Sequence, residues 1–528
     1  MKVVYIFSVI TQLGLIIGYS AKKHNLYEKY TYSGEDEVYG DLRAAGKSNN
    51  GTRYNYESPY ELALVPISRP APKPDCEINL MHYEFGFSWG KPYVGPYRPD
   101  EKCKGKAIKK AVLSWKGYSK GTQFDRIAAA WIDGIEILRT STAEPTQDGL
   151  GWEFSVDVTR YSSLLHSDRT LTVSLNNIVN EIYTGPFLID IKLEVYLDKK
   201  SPYKKPDSVY KRPADNIIGI SQFGQNNEPW FTMQNGKSVK FKLPKIPNNI
   251  QRVVLEVFIT GHGGEEFWQY NTPDDFAVAN SLPRYGPLRE LQVSVNGIEA
   301  GVGWPFPVIF TGGVCPALWR PISGIGSFST DPIRFELSQF IGDLIKNPNS
   351  EIELLVSPSD AYWLVTGNLH LWNNDDGIGK NSGMISSNSL KFSINPQVET
   401  TFEDKVYNFK TSARRIYTQK GFIDREDGRI RVETARRLVF NHDLKYFNNT
   451  DKQIYDFSVN VVTETRFLHF PSDLKSEDEN QSGVRELHRE SFQSKWRFSG
   501  QTEYTPYQPS GFLIDATMAA DIIHRDYN

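Results

Sequence analysis

Short segments in which apolar and polar residues alternate recur along most of the chain. Examples are "KKAVLSW", "RIAAAWI", "LTVSL", "KLEVYL", "RVVLEVFI", "LQVSVNG" and "IELLV". Alternation with a period of two, together with enrichment in Val, Ile and Leu, is typical of β-strands. No segment with a helical period and proper caps exceeds about two or three turns. The pattern predicts an all-β protein built from sandwiches rather than βαβ units.

A weak internal repeat divides the strands into two similar sets. "RIAAAWIDGIEILR" turns at the pair Asp133-Gly134, and "RELQVSVNGIEAGV" turns at Asn296-Gly297. Both pairs favour the positive φ angles of tight hairpins. Downstream, "FSVDVTRYSSLLHSDRTLTVSL" parallels "IRFELSQFIGDLIKNPNSEIELLV". The repeat predicts two similar β-sandwiches in tandem, followed by a third β-rich region.

Breaks rich in Pro, Lys and polar residues separate these regions: "SRPAPKPD", "DKKSPYKKPDSVYKRPADN" and "SINPQVETTFEDK". They read most simply as solvated connections. The predicted organisation is therefore a signal peptide at 1–21, an extended lead-in at 22–75, a first sandwich at 76–200, a second sandwich at 216–395 and a C-terminal β-rich region at 400–528.

The first 21 residues carry one lysine before a long apolar run and end in small residues. This is typical of a secretory signal peptide, although an uncleaved anchor is the alternative. Glycosylation sequons begin at Asn50, Asn448 and Asn480. We expect a secreted protein, or one in the lumen of the secretory pathway or vacuole, without stable membrane association after cleavage.

Charge and cysteine content narrow the possible partners. The net charge is −3 and the basic residues are scattered, so the sequence lacks the footprint of a nucleic-acid binder. Of the three cysteines, Cys76 and Cys103 flank a Gly- and Pro-rich stretch, and we predict that they form a disulfide. Cys315 lies in apolar surroundings and is expected to be an inert thiol. The nine histidines show no metal-binding spacing, so no metal site is expected.

Carboxylates at strand ends are the main candidates for chemistry, since a sandwich usually carries its site in its loops. They are Asp125, Glu144, Glu181, Glu265, Glu266 and Glu290. Asp125 precedes Arg126 at the start of a strand, where a bend would bring both side chains to one rim. An adjacent arginine would keep the aspartate ionised and able to activate water, although a structural ion pair is an equally ordinary use.

Other motifs carry less weight. "GYSKG" at 117–121 matches a nucleophile elbow, but a strand follows it rather than the required helix, so we interpret it as a turn. His262, in a Gly-rich loop, is either structural or a sugar contact.

A set of motifs in fixed order resembles one enzyme family. They are "HYEFGFSWGKPYVGPYRPDEKC", "FDRIAAAWIDGIEILRTSTAEP", "VDVTRYSSLL", "NEIYTGPF", "GHGGEEFWQYNTPDD", "RELQVSVNG", "WPFPVIFTGG", "LWRPISGIGSF" and "YWLVTGNLHLW", between residues 76 and 374. Together they resemble the peptide:N-glycosidase A family. That resemblance implies hydrolysis of the amide bond of glycosylated asparagine in peptides or denatured glycoproteins, with no cofactor.

The segment "FDR" also resembles, more distantly, the Trp-Asp-Arg of the bacterial peptide:N-glycosidase F, whose two jelly rolls pack side by side. This implies two jelly-roll-like sandwiches, with Asp125 as the catalytic carboxylate and Arg126 as its orienting partner. Phe124 replaces the tryptophan. The other acidic positions do not align cleanly, so Glu181, Glu266 and Glu290 stay candidates for them.

The same resemblance suggests a rim that binds the substrate. Its expected members are Ser141, Thr142, Glu144, Glu181, His262, Trp268 and Trp319. The polar groups of "RTSTAEP" would contact N-acetylglucosamine or satisfy one another at a sandwich edge. The tryptophans, Trp304 included, would stack on sugars or pack. Two other functions remain open: a lectin-like protein without catalysis, and an O-glycoside hydrolase with two suitably spaced carboxylates.

Overall fold

The computed structural model describes residues 67–71, 73–199, 208–224, 228–234, 236–312, 323–374, 379–447, 452–472, 479–507 and 511–527, with the side chains of 502 and 504–527 left out. The predicted signal peptide, most of the lead-in, Asn50, Asn448, Cys315 and Trp319 lie outside the described residues. In the described part, no helix has the length and apolar character needed to cross a membrane.

The first sandwich contains eight strands and one 3-10 helix, Thr159–Leu164. The strands are β1 (Cys76–Phe85), β2 (Tyr93–Tyr97), β3 (Ile108–Ser119), β4 (Ile127–Ile132), β5 (Ile135–Ser141), β6 (Leu150–Asp157), β7 (Arg169–Leu175) and β8 (Phe187–Leu197). They form two antiparallel sheets with the orders β1-β8-β3-β6 and β2-β7-β4-β5. A disulfide joins Cys76 to Cys103, as predicted.

The second sandwich repeats this plan with nine strands. They are β9 (Asn216–Ile220), β10 (Phe231–Gln234), β11 (Val239–Lys242), β12 (Ile250–His262), β13 (Glu290–Val295), β14 (Ile298–Gly303), β15 (Ile333–Glu336), β16 (Glu351–Ser357) and β17 (Tyr362–Asn373). One sheet has the order β10-β17-β12-β15 with β9 also on β17, and the other has the order β11-β16-β13-β14. The short helices are α1 (Asp274–Asn280), α2 (Ile341–Lys346) and the 3-10 turns Gly263–Glu265, Trp268–Tyr270 and Ser338–Phe340.

The two sandwiches pack against each other through β4, which is buried on both of its faces. Ala128, Ala130 and Ile132 point into the core of the first sandwich. On the other face, Ile127, Ala129 and Trp131 pack against Trp230, Ile309 and Leu364 of the second sandwich. This double burial explains why "IAAAWI" is a nearly continuous apolar run rather than an alternating one.

The C-terminal region is a large antiparallel sheet. Its strands are β18 (Ser382–Asn388), β19 (Gln397–Glu403), β20 (Val406–Arg425), β21 (Gly428–Phe447), β22 (Lys452–Pro471), β23 (Arg485–Tyr507) and β24 (Gly511–Tyr527), in the order β18-β20-β21-β22-β23-β24 with β19 on β20. Ile423, Ile430, Val432 and Phe467 join the core of the second sandwich. The predicted all-β fold class is confirmed, while the predicted residue boundaries between domains stay predictions.

Candidate active site

Asp125 and Arg126 lie in a non-strand segment immediately before β4. The buried side chain of Gln123 anchors this segment, because its Nε2 donates to the backbone oxygens of Ile178 (3.0 Å) and Gly185 (3.2 Å). Its Oε1 accepts from Arg126 Nη2 (2.6 Å). Since neither residue is in the strand, the strict alternation of side chains does not separate them.

A loop of the second sandwich completes the surroundings of Asp125. Thr311 Oγ1 donates to Asp125 Oδ2 (3.0 Å), and the backbone N–H of Gly312 donates to the same carboxylate. Burial raises the pKa of Asp125, and this effect outweighs the hydrogen bonds and the positive charge of Arg126. The positive charge of Arg126 favours the ionised form of Asp125, as the sequence predicted, but burial opposes it and has the larger effect.

Glu266 lies close enough to Asp125 for their charges to interact. It follows the 3-10 turn at the end of β12 and is only partly exposed. Burial, and then the negative charge of Asp125, raise the pKa of Glu266 to about 8. In the described part of the chain no cation lies within ion-pair distance of Glu266, so its charge has no compensation there.

The two carboxyl groups are not equivalent. Asp125 receives hydrogen bonds from Thr311 and Gly312 and feels the charge of Arg126, all of which favour its ionised form. Burial favours the neutral form of both carboxyl groups, and the negative charge of Asp125 adds to this effect at Glu266. This asymmetry favours the negative charge on Asp125 and the proton on Glu266 when the two groups share one proton, with two apparent pKa values that belong to the pair. Such an arrangement can supply a base and an acid at once.

Arg126 brings a positive charge to the same place. Its guanidinium lies 6.0 Å from the centre of the Tyr183 ring, and its backbone N–H donates to Thr142 Oγ1 (2.8 Å). Its buried Nε has no hydrogen-bond partner among the described residues. A buried donor without a partner is rare in a protein, and here it can meet negative charge that develops on a bound substrate.

His262 is packed inside the protein and does not line the surface of the site. It is buried, it stacks on Tyr362 (ring centres 5.6 Å apart), and its Nε2 lies 2.8 Å from Thr260 Oγ1. Burial, reinforced by the positive charge of Arg139, lowers the pKa of His262 to about 3. The imidazole is therefore neutral. Burial and the charge of Glu266 raise the pKa of Tyr362 in turn.

Several predicted sugar contacts are not available at the surface. Ser141 is fully buried and donates to the backbone oxygen of Ser327 (3.1 Å). Thr142 is also fully buried, with its hydroxyl engaged by Arg126. Trp268 packs in the core of the second sandwich against Trp363. Ser141 and Thr142 already have hydrogen-bond partners inside the protein, and Trp268 is packed in the core. We therefore infer that none of the three binds sugar.

The remaining candidate carboxylates separate by environment. Glu290 is fully buried and forms a bidentate pair with Arg415 of β20 (2.5 and 2.9 Å), and Trp304 Nε1 donates to it (3.2 Å). These are the contacts of a structural ion pair, so they do not support Glu290 as a catalytic acid. Glu181 is exposed in the loop that carries Tyr183. Glu144 is partly exposed and lies after β5.

Sequence reasoning missed four residues of the site: Thr311, Gly312, Tyr183 and Tyr362. Thr311 and Asp125 are 186 positions apart, so no local pattern could join them. All four lie in motifs quoted above, "FTGG", "NEIYTGPF" and "YWLVTGNLHLW", which was the available signal.

Comparison with known proteins finds the following similarities. The family model described as peptide N-acetyl-beta-D-glucosaminyl asparaginase amidase A matches residues 65–390. The peptide-N4-(N-acetyl-beta-glucosaminyl)asparagine amidase A of Prunus dulcis is 34% identical over 418 residues, which are 77% of this chain and 72% of that protein. Among solved structures, PNGF-II is 14% identical over 57% of this chain and 66% of its own, with a TM-score of 0.37. PNGase F of Flavobacterium meningosepticum is 13% identical over 57% of this chain and 96% of its own, also with a TM-score of 0.37.

Proposed function

The chain belongs to the peptide N-acetyl-beta-D-glucosaminyl asparaginase amidase A family, and we propose that it hydrolyses the β-aspartylglucosaminyl amide bond of N-glycosylated peptides or denatured glycoproteins. The products are a peptide in which aspartate replaces asparagine and the glycan as a glycosylamine. Glycosylamines then lose ammonia without further help. The observation that carries the proposal is the pair Asp125 and Glu266, two largely buried carboxyl groups whose charges interact at the junction of the two sandwiches.

In this mechanism the ionised Asp125 takes a proton from a water molecule as its oxygen attacks the amide carbonyl carbon. The carbonyl oxygen becomes negatively charged, and the guanidinium of Arg126 stabilises that charge. The C–N bond then breaks while the leaving nitrogen receives a proton from Glu266. The reaction consumes one water and needs no redox partner, and the pair returns to its starting state when Asp125 passes its proton to Glu266.

We also propose that the protein acts in the secretory pathway, in the vacuolar lumen or outside the cell. The apolar segment at 1–21 and the exposed sequon at Asn480 support this proposal. N-glycosylated substrates are found in the same compartments.

Hydrolysis of one glycopeptide in heavy-oxygen water tests the proposed reaction. The expected product is a peptide with one labelled oxygen on a new aspartate at the former glycosylation site. An endoglycosidase would leave one N-acetylglucosamine on an unchanged asparagine, and a lectin would leave the glycopeptide intact. Either result would refute the proposed function.

A further inference from the structure

The loop between β1 and β2, residues 86–92, exposes two aromatic side chains that the mechanism does not use. Phe87 is 63% exposed and Trp89 is 52% exposed. Lys91 Nζ lies 5.5 Å from the centre of the Phe87 ring. Single exposed apolar residues are common in proteins. We call residues 86–92 the aromatic loop. Because this short loop exposes two rings rather than one, its position in the fold is relevant to their role.

The aromatic loop is fixed by hydrogen bonds at the residue between the two rings. Ser88 is buried, its hydroxyl donates to the backbone oxygen of Leu175 (2.7 Å), and its N–H donates to the backbone oxygen of Asn177 (3.0 Å). Gly90 N–H donates to Asn176 Oδ1 (2.9 Å). With Ser88 turned inward, its two neighbours are presented outward on a rigid support. A ligand that stacks on them loses little conformational entropy of the protein.

The same hydrogen-bond network leads directly to the candidate active site. The backbone oxygen of Gly185 accepts from Asn177 Nδ2 (3.2 Å) and also from Gln123 Nε2 (3.2 Å). Gln123 in turn accepts from Arg126 Nη2 (2.6 Å). The aromatic loop is thus connected to Arg126 by hydrogen bonds through Asn177, Gly185 and Gln123.

We propose that Phe87 and Trp89 form a stacking subsite for the glycan beyond its first two N-acetylglucosamines. This proposal rests on the proposed function. Aromatic rings pack against the apolar C–H faces of sugars, and a rigid pair of rings suits a ligand whose shape does not vary. The core of the glycan is the part that different N-glycopeptides share, whereas their peptide sequences differ.

The test compares Phe87→Ala, Trp89→Ala and the double variant with the wild type on two substrates. One glycopeptide carries a complete N-glycan, and the other has the same peptide with its glycan trimmed to two N-acetylglucosamines. Phe402→Ala is the matched control, since Phe402 is 57% exposed on β19 of the C-terminal sheet. Melting temperatures confirm that each variant is folded.

For the complete glycan, we expect KM to rise about tenfold in the double variant, the effect of losing a good stacking contact. We expect kcat to stay within about twofold, because the rings do not touch the scissile bond. The trimmed substrate and the control should change little. An equal rise for both substrates would assign the rings to the peptide or the first sugars, and unchanged kinetics would remove the subsite. A wild type inactive on both substrates would instead refute the proposed function, and the subsite with it.

Discussion

Replacing Glu266 by glutamine should stabilise the protein while it inactivates the enzyme. Glutamine has the shape of the neutral acid but cannot ionise or donate a transferable proton. We expect kcat to fall by about a hundredfold or more, the usual scale for a lost general acid. Stability should change in the opposite direction, because the wild-type protein must keep a poorly compensated carboxyl at this position.

The size of the stability change depends on pH. The pKa of Glu266 rises from 4.5 to about 8 on folding. The folded state therefore binds this proton more tightly, and the resulting stabilisation is complete below pH 4.5 and is lost as the pH approaches 8. Each pH unit within this window costs about 1.4 kcal/mol, so about 3 kcal/mol is lost by pH 7. Glu266→Gln avoids this loss. We therefore expect its melting temperature to exceed that of the wild type by roughly 3 to 6 °C for a cooperative unit that includes both sandwiches.

The assay is thermal unfolding of both proteins at several pH values between 4.5 and 8.5. The difference in melting temperature should be near zero in acid and should widen steadily toward pH 8. Glu181→Gln is the matched control, since Glu181 is exposed in a neighbouring loop and its substitution should give a flat difference. If the difference for Glu266→Gln is also flat, Glu266 ionises normally and the assignment of the proton is wrong.

Three further substitutions test the other parts of the site. Asp125→Asn should fold and bind glycopeptide but lose about a hundredfold or more in kcat, measured by product release. Thr311→Val removes the donor 3.0 Å from Asp125; because the Asp125 pKa should then rise further, the acid limb of the pH–activity profile should move up by about one unit or more. In Glu290→Gln, Arg415 loses the negative charge of its partner, so the melting temperature should fall, yet the folded fraction should keep its activity. Loss of activity without loss of stability in that variant would return Glu290 to the catalytic candidates.

The alternation of apolar residues sufficed to predict the fold class, because period two is a local property of the chain. The internal repeat indicated two sandwiches for the same reason. The sequence left the polar segment "RTST" open between sugar contacts and internal hydrogen bonds, because its environment is not a local property. Strand β5 is buried along its whole length. Arg139 there pairs with Glu136 (2.7 Å) and donates to the backbone oxygen of Leu364 (2.6 Å). Polar residues that look like a solvated rim are thus the contacts of an internal junction.

The carboxylates show the same limit. Glu265, Glu266 and Glu290 all follow or begin strands and look alike in the sequence. Two of them face an arginine inside the protein, Glu265 with Arg289 and Glu290 with Arg415. Only the fold determines which glutamate pairs with an arginine and which lies near Asp125. The resemblance of "FDR" identified Asp125 as a candidate, but its partner depended on a contact between the two sandwiches.

The proposed acid–base pair therefore depends on how tightly the two sandwiches are joined. Asp125 belongs to the first sandwich, and its donor Thr311 and its neighbour Glu266 belong to the second. If water entered between them, both carboxyl groups would return toward their ordinary pKa values and would be ionised together at neutral pH. The junction of the sandwiches is held by close contacts: Trp131 packs edge-on against Trp230, with ring centres 5.2 Å apart, and Asn368 bonds both backbone groups of Glu136 (2.7 and 3.1 Å). The apolar contacts of β4 thus maintain the low local polarity on which the division of roles between Asp125 and Glu266 rests.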